Sequence, residues 1–173
     1  MNTFYRNVKV PVFGNVYLIS TEKGLSHILV SKSEFAQFQL RHYVQEGDAE
    51  SWAAKAEQEL LDYFAGNRTN FEVPLDIMTG TPFQRQVWAV LSTIPYGEVW
   101  SYADVARAIN NPKAVRAVGQ ANRANPIPVI VPCHRVIGKS GKLTGYAGKQ
   151  IGLKEELLQL EGMNAQNGML IRG

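Results

Sequence analysis

The only cysteine of the chain, Cys133, is followed directly by a histidine and an arginine in the stretch PIPVIVPCHRV. A thiol reacts as its thiolate, and a nearby imidazole or cation favours the thiolate form, so Cys133 beside His134 and Arg135 is a candidate nucleophile. The apolar residues 129–131 favour the alternative that Cys133 is a small buried hydrophobe. The local sequence leaves both interpretations open.

His134 is adjacent to Cys133 in sequence, but adjacency alone does not bring the imidazole to the sulfur. In extended backbone, successive side chains point to opposite faces. We therefore expect His134 to act on the thiol through a bridging water or through a turn of the chain.

The composition excludes several other classes of protein. One cysteine cannot form an internal disulfide, and the scattered residues His27, His42 and His134 match no metal-ligand spacing, so we expect no metal and no cofactor. The chain has neither a signal-peptide pattern at its start nor a run of about 18 apolar residues for a membrane span. We expect a cytoplasmic protein that does not associate with membranes.

Charge is distributed unevenly along the chain. Residues 1–79 contain 7 Lys/Arg and 10 Asp/Glu, a net charge of −3, whereas residues 80–173 contain 11 and 5, a net charge of +6. Between Asp104 and Glu155 there is no acidic residue. The basic residues of this interval include Arg107, Lys113, Arg116, Arg123, Arg135, Lys139, Lys142 and Lys149. Such a stretch suits a polyanion, and the alternative is a solvated basic face.

The first half of the chain is predicted to begin with strands and continue with helices. Aliphatic runs and a turn glycine indicate a hairpin-like group of strands over residues 4–10, 16–20 and 25–30. Ser33 is a candidate cap for a helix over 34–44, and Ser51 for a longer helix that ends at Gly66. Residues 67–80 have no helical period, which places a domain boundary there and predicts domains of 1–79 and 80–173.

The second half is predicted to contain a helix-turn-helix. Thr81 followed by Pro82 is a helix start, Ser101 to Asp104 is a capping box, and Asn111 followed by Pro112 is a further helix start with basic residues on its outer face. Two short helices joined by a tight turn are typical of DNA-binding proteins. Together with the acid-free interval, this pattern indicates nucleic-acid binding.

PCHRV, preceded by NPIPVIV and followed by GYAG, resembles the active-site motif of the O6-alkylguanine-DNA alkyltransferases, also called methylated-DNA–protein-cysteine methyltransferases. The resemblance runs from about residue 80 to residue 162, through TPFQRQVW, IPYGEVWSY, NPKAVRAVGQANRANP and LKEELLQLEG. Lys149 stands where a second glycine is usual, with one extra residue between Gly148 and Glu161. The resemblance implies an α+β fold, with an N-terminal domain on a small antiparallel sheet and a C-terminal, winged-helix-like helical domain.

The family implies direct DNA repair in which each protein molecule acts once. The alkylated guanine is flipped out of the duplex from the minor-groove side, and its O6-alkyl group is transferred irreversibly to the cysteine. The implied partner is double-stranded DNA that contains O6-alkylguanine, with O4-alkylthymine as a possible second substrate. We expect a stand-alone form of the protein, acting as a monomer.

The resemblance also implies roles for individual residues. Cys133 is the alkyl acceptor, His134 takes its proton through water, and Glu161 orients the imidazole. Tyr102 hydrogen-bonds the flipped guanine, and Asn125 ties the turn before the cysteine. Arg116 fills the gap in the duplex, Arg123 neutralises phosphate, and the small residues Ala114 and Gly119 allow close approach to DNA. The expected walls of the base pocket are Pro128, Val136, Tyr146, Ala147 and Gly148.

Two other functions fit parts of the sequence. A DNA-binding regulator with an inert core cysteine would bind modified and unmodified duplex alike without being alkylated. A Cys-His hydrolase would turn over, but it requires a nucleophile at a helix N-terminus and a base distant in sequence, and neither is visible.

Overall fold

A computed structural model describes residues 2–143 and 151–171 of the chain. Tyr146, Ala147, Gly148 and Lys149 lie outside the described residues. The chain divides into two compact units, residues 1–79 and residues 80–173. Both units mix helices with short strands, which confirms the predicted α+β class.

The first unit is built on a four-stranded sheet in the order β3-β2-β1-β4. Strands β1 (Phe4–Val10), β2 (Gly14–Ser20) and β3 (Leu25–Leu29) pair antiparallel, and the short β4 (Gln45–Glu46) pairs parallel to β1. Residues 16–20 of β2 are all buried, because this central strand is covered on both faces. The three predicted strands are therefore present, with β2 starting two residues earlier.

Two helices complete the first unit. Helix α1 (Lys32–Arg41) begins after Ser31, whose hydroxyl accepts from the Glu34 amide, so the predicted cap at Ser33 is wrong. Ser31 succeeds because Glu34 also reaches back to the Val30 amide, which satisfies two amides of the first turn at once. Helix α2 (Trp52–Phe64) starts at the predicted cap, Ser51, and buries an apolar stripe against the sheet.

The second unit is mainly helical. Helix α3 (Pro82–Leu91) and helix α4 (Tyr102–Ala108) both begin with complete capping boxes, Thr81 with Gln84 and Ser101 with Asp104, as the sequence predicts. Helix α5 (Val115–Arg123) follows α4, and helix α6 (Ile151–Leu160) lies near the end of the chain.

The start of α5 differs from the prediction. Asn111 and Pro112 do not open the helix; they form a turn in which the Ala114 amide donates to the Asn111 carbonyl at 3.0 Å. Pro112 occupies the second position of that turn, which its fixed φ suits as well as it suits the first position of a helix. Asn110 takes a left-handed φ of 59° before it, and α5 begins only at Val115.

Helix α5 is held from below by α3. The indole of Trp88, only 2% exposed, donates to the carbonyl of Ala121 at 2.8 Å. Gly80 lies against the same ring with a φ of 95°, and a Cβ there would be 2.5 Å from Trp88. This packing leaves the opposite face of α5 exposed.

Short strands and a helical turn connect the remaining elements of the second unit. A 3-10 helix, Cys133–Arg135, leads directly into β6 (Val136–Ile137), which pairs parallel to β5 (Trp100–Ser101). A final hairpin is formed by β7 (Ala165–Gln166) and β8 (Met169–Leu170). Among the described residues, no helix is both long and apolar enough to cross a membrane.

Candidate active site

Cys133 lies at the start of the 3-10 helix and is 1% exposed. The loop that leads to it is closed by Asn125. The Asn125 side chain donates to the carbonyl of Val131 at 2.7 Å and accepts from the amide of Ile127 at 2.9 Å. Val129 between them takes a left-handed φ of 75°, a strained conformation for a β-branched residue. The predicted bracing role of Asn125 is thus matched by its geometry.

A second asparagine contacts the cysteine backbone directly. Asn122, on the buried face of α5, donates through its side-chain amide to the Cys133 carbonyl at 3.3 Å. The sequence analysis did not single it out. Its signal was present, because Asn122 lies four residues after Val118 and therefore on the apolar face of the helix.

His134 and Glu161 form a fully buried pair. The distance from His134 Nε2 to Glu161 Oε2 is 2.7 Å, and both side chains have no exposed surface. Glu161 follows the last residue of α6, whereas His134 belongs to the 3-10 helix, so tertiary packing joins them across 27 positions. An ionised Glu161 accepts from Nε2–H, which makes Nδ1 the acceptor nitrogen of a neutral imidazole.

Arg135 also binds Glu161. Its Nε donates to Oε1 at 2.9 Å and its Nη2 to Oε2 at 3.0 Å, while Nη1 donates to the carbonyl of Ile94 at 2.7 Å. The guanidinium also lies 5.6 Å from the centroid of the Tyr96 ring. Arg135 therefore anchors the carboxylate that holds His134, a role that its position beside the cysteine did not reveal.

These contacts separate the pKa values of the pair. Burial by itself raises the pKa of Glu161, but the hydrogen bonds and positive charges of His134 and Arg135 outweigh it and lower that pKa to about 2. Burial lowers the pKa of His134, and the Glu161 carboxylate only partly compensates. Near neutral pH the site thus contains an ionised carboxylate and a neutral imidazole.

We expect acid to destabilise the protein through both groups. The unfolded His134 takes up a proton below about pH 6.5 that the buried ring resists, so stability falls with pH from there. The stability that ionised Glu161 contributes is complete above its unfolded pKa of about 4.3 and is lost as the pH falls towards about 2. Urea unfolding followed by tryptophan fluorescence between about pH 8 and about pH 3 measures this decline.

A histidine of the first unit requires a control in that experiment. Burial and the charge of His42 lower the pKa of His27 to about 4, so His27 contributes a loss of stability with the same sign. The variant His27→Gln removes that contribution and leaves His134 intact. If its stability is constant between about pH 7 and about pH 5, the assignment of a neutral buried His134 is wrong.

The outer face of α5 lines an open cleft of about 600 Å³. The cleft is lined by Tyr102, Val115, Arg116, Gly119, Gln120 and Arg123. Arg116 and Arg123 are exposed, and Tyr102 at the start of α4 is half-buried. A Cβ on Gly119 would stand 3.9 Å from the Tyr102 ring, so a larger side chain there would project into the cleft. Four of the predicted site residues are therefore together on one surface.

The remaining predicted residues are placed less decisively. Pro128 and Val136 are both buried, Pro128 in the loop before the cysteine and Val136 in β6. Ala114 is half-buried at the N-cap of α5. Tyr146, Ala147 and Gly148 lie outside the described residues, so their role as a wall of the pocket stays a prediction.

Lys154 was not predicted and is the least expected side chain of this region. It is 0% exposed, and its Nζ lies 5.7 Å from the centroid of the Tyr102 ring. The signal for its burial was the spacing in α6, because Leu157 and Leu158 lie three and four residues later on the same face.

Comparison with known proteins supports the family resemblance. Two family models match the chain: the DNA-binding domain of 6-O-methylguanine DNA methyltransferase over residues 82–163, and its ribonuclease-like domain over residues 3–77. The constitutive methylated-DNA–protein-cysteine methyltransferase of Bacillus subtilis is 44% identical over 158 residues, which are 91% of this chain and 94% of the relative.

Solved structures agree with the sequence matches. The crystal structure of Mycobacterium tuberculosis O6-methylguanine methyltransferase is 43% identical, with a TM-score of 0.80 and coverage of 92% of both chains. The same mycobacterial protein in complex with DNA is 42% identical, with a TM-score of 0.77 and coverage of 91% of this chain and 92% of that one. The chain therefore belongs to the 6-O-methylguanine DNA methyltransferase family.

Proposed function

We propose that this chain repairs alkylated DNA by moving the alkyl group from O6 of guanine in a duplex to Sγ of Cys133, once per protein molecule. The observation that carries the proposal is the position of the only cysteine, which begins a helical turn whose next residue is hydrogen-bonded to a buried carboxylate. DNA repair by alkyl transfer to a cysteine follows from family membership; the residue roles and base flipping are our proposal.

The reaction is a displacement at the alkyl carbon. The thiol proton passes to Nδ1 of His134 through a bridging water, and the thiolate forms a new S–C bond. The C–O6 bond breaks with its electron pair on oxygen, and guanine recovers one proton, so atoms and charges balance. Glu161 stabilises the transient imidazolium. Nothing regenerates the thiol, and the protein is consumed.

Tyr102 and Asn125 support this step from two sides. Tyr102 lies on the cleft, where its phenol can donate to the flipped base and stabilise the charge that leaves with guanine. Asn125 holds the loop that carries Cys133, which keeps the sulfur at one position relative to the cleft. Both roles depend on geometry that exists before DNA binds.

DNA is proposed to bind the outer face of α5 through its minor groove. Helices α4 and α5 then act as a helix-turn-helix, in which Ala114 and Gly119 permit close approach and Arg123 contacts phosphate. Arg116 enters the duplex and replaces the flipped base. The complex of the mycobacterial relative with DNA supports DNA as the partner. Few long polar side chains point outward from α5, so weak sequence preference is expected.

The range of substrates is also proposed from the pocket residues. Pro128 suits a flat, bulky group such as benzyl, and the predicted wall includes Val136 and residues 146–148. O4-alkylthymine presents a similar alkyl-oxygen bond and is proposed as a second, minor substrate. The repair complex is proposed to contain one protein molecule for each lesion.

Intact mass tests the function most directly. Wild-type protein is incubated with an excess of duplex that carries one O6-methylguanine, with Cys133→Ala in parallel. We expect each wild-type molecule to gain one methyl group at Cys133, an equal amount of lesion to disappear, and the excess lesion to remain. Cys133→Ala should bind the duplex and keep its mass.

The same experiment distinguishes the alternatives. Binding of the duplex by wild type with no change in mass would support a lesion-binding regulator with a structural cysteine. Repair of all the excess lesion would indicate turnover, as in a hydrolase. Either result contradicts single-use alkyl transfer.

A further inference from the structure

Lys154 is a buried cation that the proposed reaction does not yet use. Its side chain is 0% exposed, and no hydrogen-bond acceptor among residues 2–143 and 151–171 reaches its Nζ. The Tyr102 ring, 5.7 Å from Nζ, offers a cation-π contact, but it has no net charge to balance the ammonium. A buried ammonium is unfavourable unless an anion compensates it.

The charged groups that face Lys154 come from three neighbouring elements. Burial lowers the pKa of Lys154 to about 8, the positive charge of Arg123 on α5 lowers it further, and the negative charge of the Cys133 thiolate raises it. The ammonium in turn lowers the pKa of His134, the next residue in the 3-10 helix. Within the described chain, the Cys133 thiolate is the one group whose charge favours the ammonium.

The packing of α6 explains why the lysine is directed there. Helix α6 packs against the 3-10 helix that carries Cys133, and Leu157 and Leu158 are fully buried on the same side of α6 as Lys154. Lysine on such a face buries its methylene chain among apolar side chains and brings its charged end to the far side. That end lies between the Tyr102 ring and the nucleophile.

We propose that Lys154 is a positioning residue whose buried ammonium is the counter-charge of the Cys133 thiolate, and that alkylation of the sulfur leaves this ammonium without an anion. The first half explains how a buried sulfur stays reactive, and it assigns the thiolate to Lys154 as well as to His134. The second half predicts that the alkylated protein is less stable than the unmodified one. Both halves rest on the proposed role of Cys133 as the nucleophile.

The first test measures the thiolate without DNA. Cys133 is the only cysteine, so the ultraviolet absorbance of wild type minus that of Cys133→Ala reports the thiolate alone across a pH titration. In Lys154→Met, which replaces the ammonium by an apolar group of similar length, we expect the titration midpoint to rise by about one pH unit or more, a tenfold loss of thiolate below the midpoint.

A matched control removes the same charge from the surface. Lys139 is exposed, so Lys139→Met changes the net charge equally and should leave the midpoint where it is in wild type. Equal midpoints in wild type and Lys154→Met would overturn the counter-charge role. If Lys154→Met does not fold, Lys154→Gln gives the same comparison with a polar, uncharged side chain.

The second test compares thermal stability before and after methylation of Cys133 by methyl iodide, verified by intact mass. We expect methylation to lower the Tm of wild type and of Lys139→Met by several degrees and to leave Lys154→Met nearly unchanged. An equal fall in wild type and Lys154→Met would overturn the second half of the proposal.

These tests separate the inference from the proposed function. Neither uses alkylated DNA, so a thiolate that depends on Lys154 stands even if duplex fails to methylate Cys133. Conversely, methyl transfer from duplex that proceeds equally fast in Lys154→Met at every pH supports the repair function and contradicts the role of Lys154.

Discussion

Glu161→Gln is expected to slow methyl transfer from duplex to Cys133 by at least about a hundredfold, the lower end of what a general base contributes. The glutamine side chain cannot carry the negative charge that stabilises a protonated His134, and its amide can present a donor where the ring needs an acceptor. The same change leaves the buried Arg135 guanidinium without its anion. Breaking a buried ion pair in this way costs about 3–5 kcal/mol of stability.

Single-turnover kinetics and urea unfolding, performed on the same preparations, separate the two effects. Glu156→Gln is the matched control, because it makes the same chemical change at an exposed position of α6. We expect it to react and unfold like wild type. A folded Glu161→Gln protein that transfers methyl at the wild-type rate would exclude the His134–Glu161 pair from the reaction.

Arg116→Ala is expected to reduce the rate of repair in duplex DNA by about a hundredfold and to leave reaction with free O6-benzylguanine unchanged. Extruding a base costs a few kcal/mol in unstacking and unpairing, and an inserted side chain recovers part of that cost. Arg116 is exposed on the cleft beside Tyr102, in a position to enter the gap. A free base needs no extrusion, so it should not depend on Arg116.

Arg123→Ala distinguishes gap filling from simple attraction to phosphate. Arg123 lines the same cleft and carries the same charge, but its proposed contact is with the backbone. We expect its loss to weaken duplex binding more at low salt than at high salt, because the slope of affinity against salt falls by about one charge. If the two variants behave identically on duplex at low salt, Arg116 is an ordinary phosphate contact.

Local signals in the sequence were sufficient for many of the elements. The capping boxes of Thr81 with Gln84 and of Ser101 with Asp104 place the starts of α3 and α4 correctly, because a cap and its partner are only three residues apart. Asn111 and Pro112 misled the prediction of α5, because a proline after asparagine suits a turn as well as a helix start. That choice depends on how α4 ends, at Asn110 with its left-handed φ.

The residues that tune the site were harder to predict. Arg135 was visible beside the cysteine, but its hydrogen bonds to Glu161 join positions 26 residues apart. Lys154 reads in sequence as one cation among many in a basic half of the chain, and only the packing of α6 shows that it is buried. Asn122 likewise acquires its contact with Cys133 only when α5 packs against the cysteine loop.

By itself, the sequence determined which chemistry is present: a single cysteine next to a histidine, helix caps, and an acid-free basic interval. These are properties of residue type and short spacing, and they persist in any conformation of the chain. Only the tertiary structure decided how the charges are paired, with Glu161 on His134 and Arg135, and Lys154 buried near the nucleophile. Burial and distance set the strength of each charge, and both arise from contacts between segments that are remote in sequence.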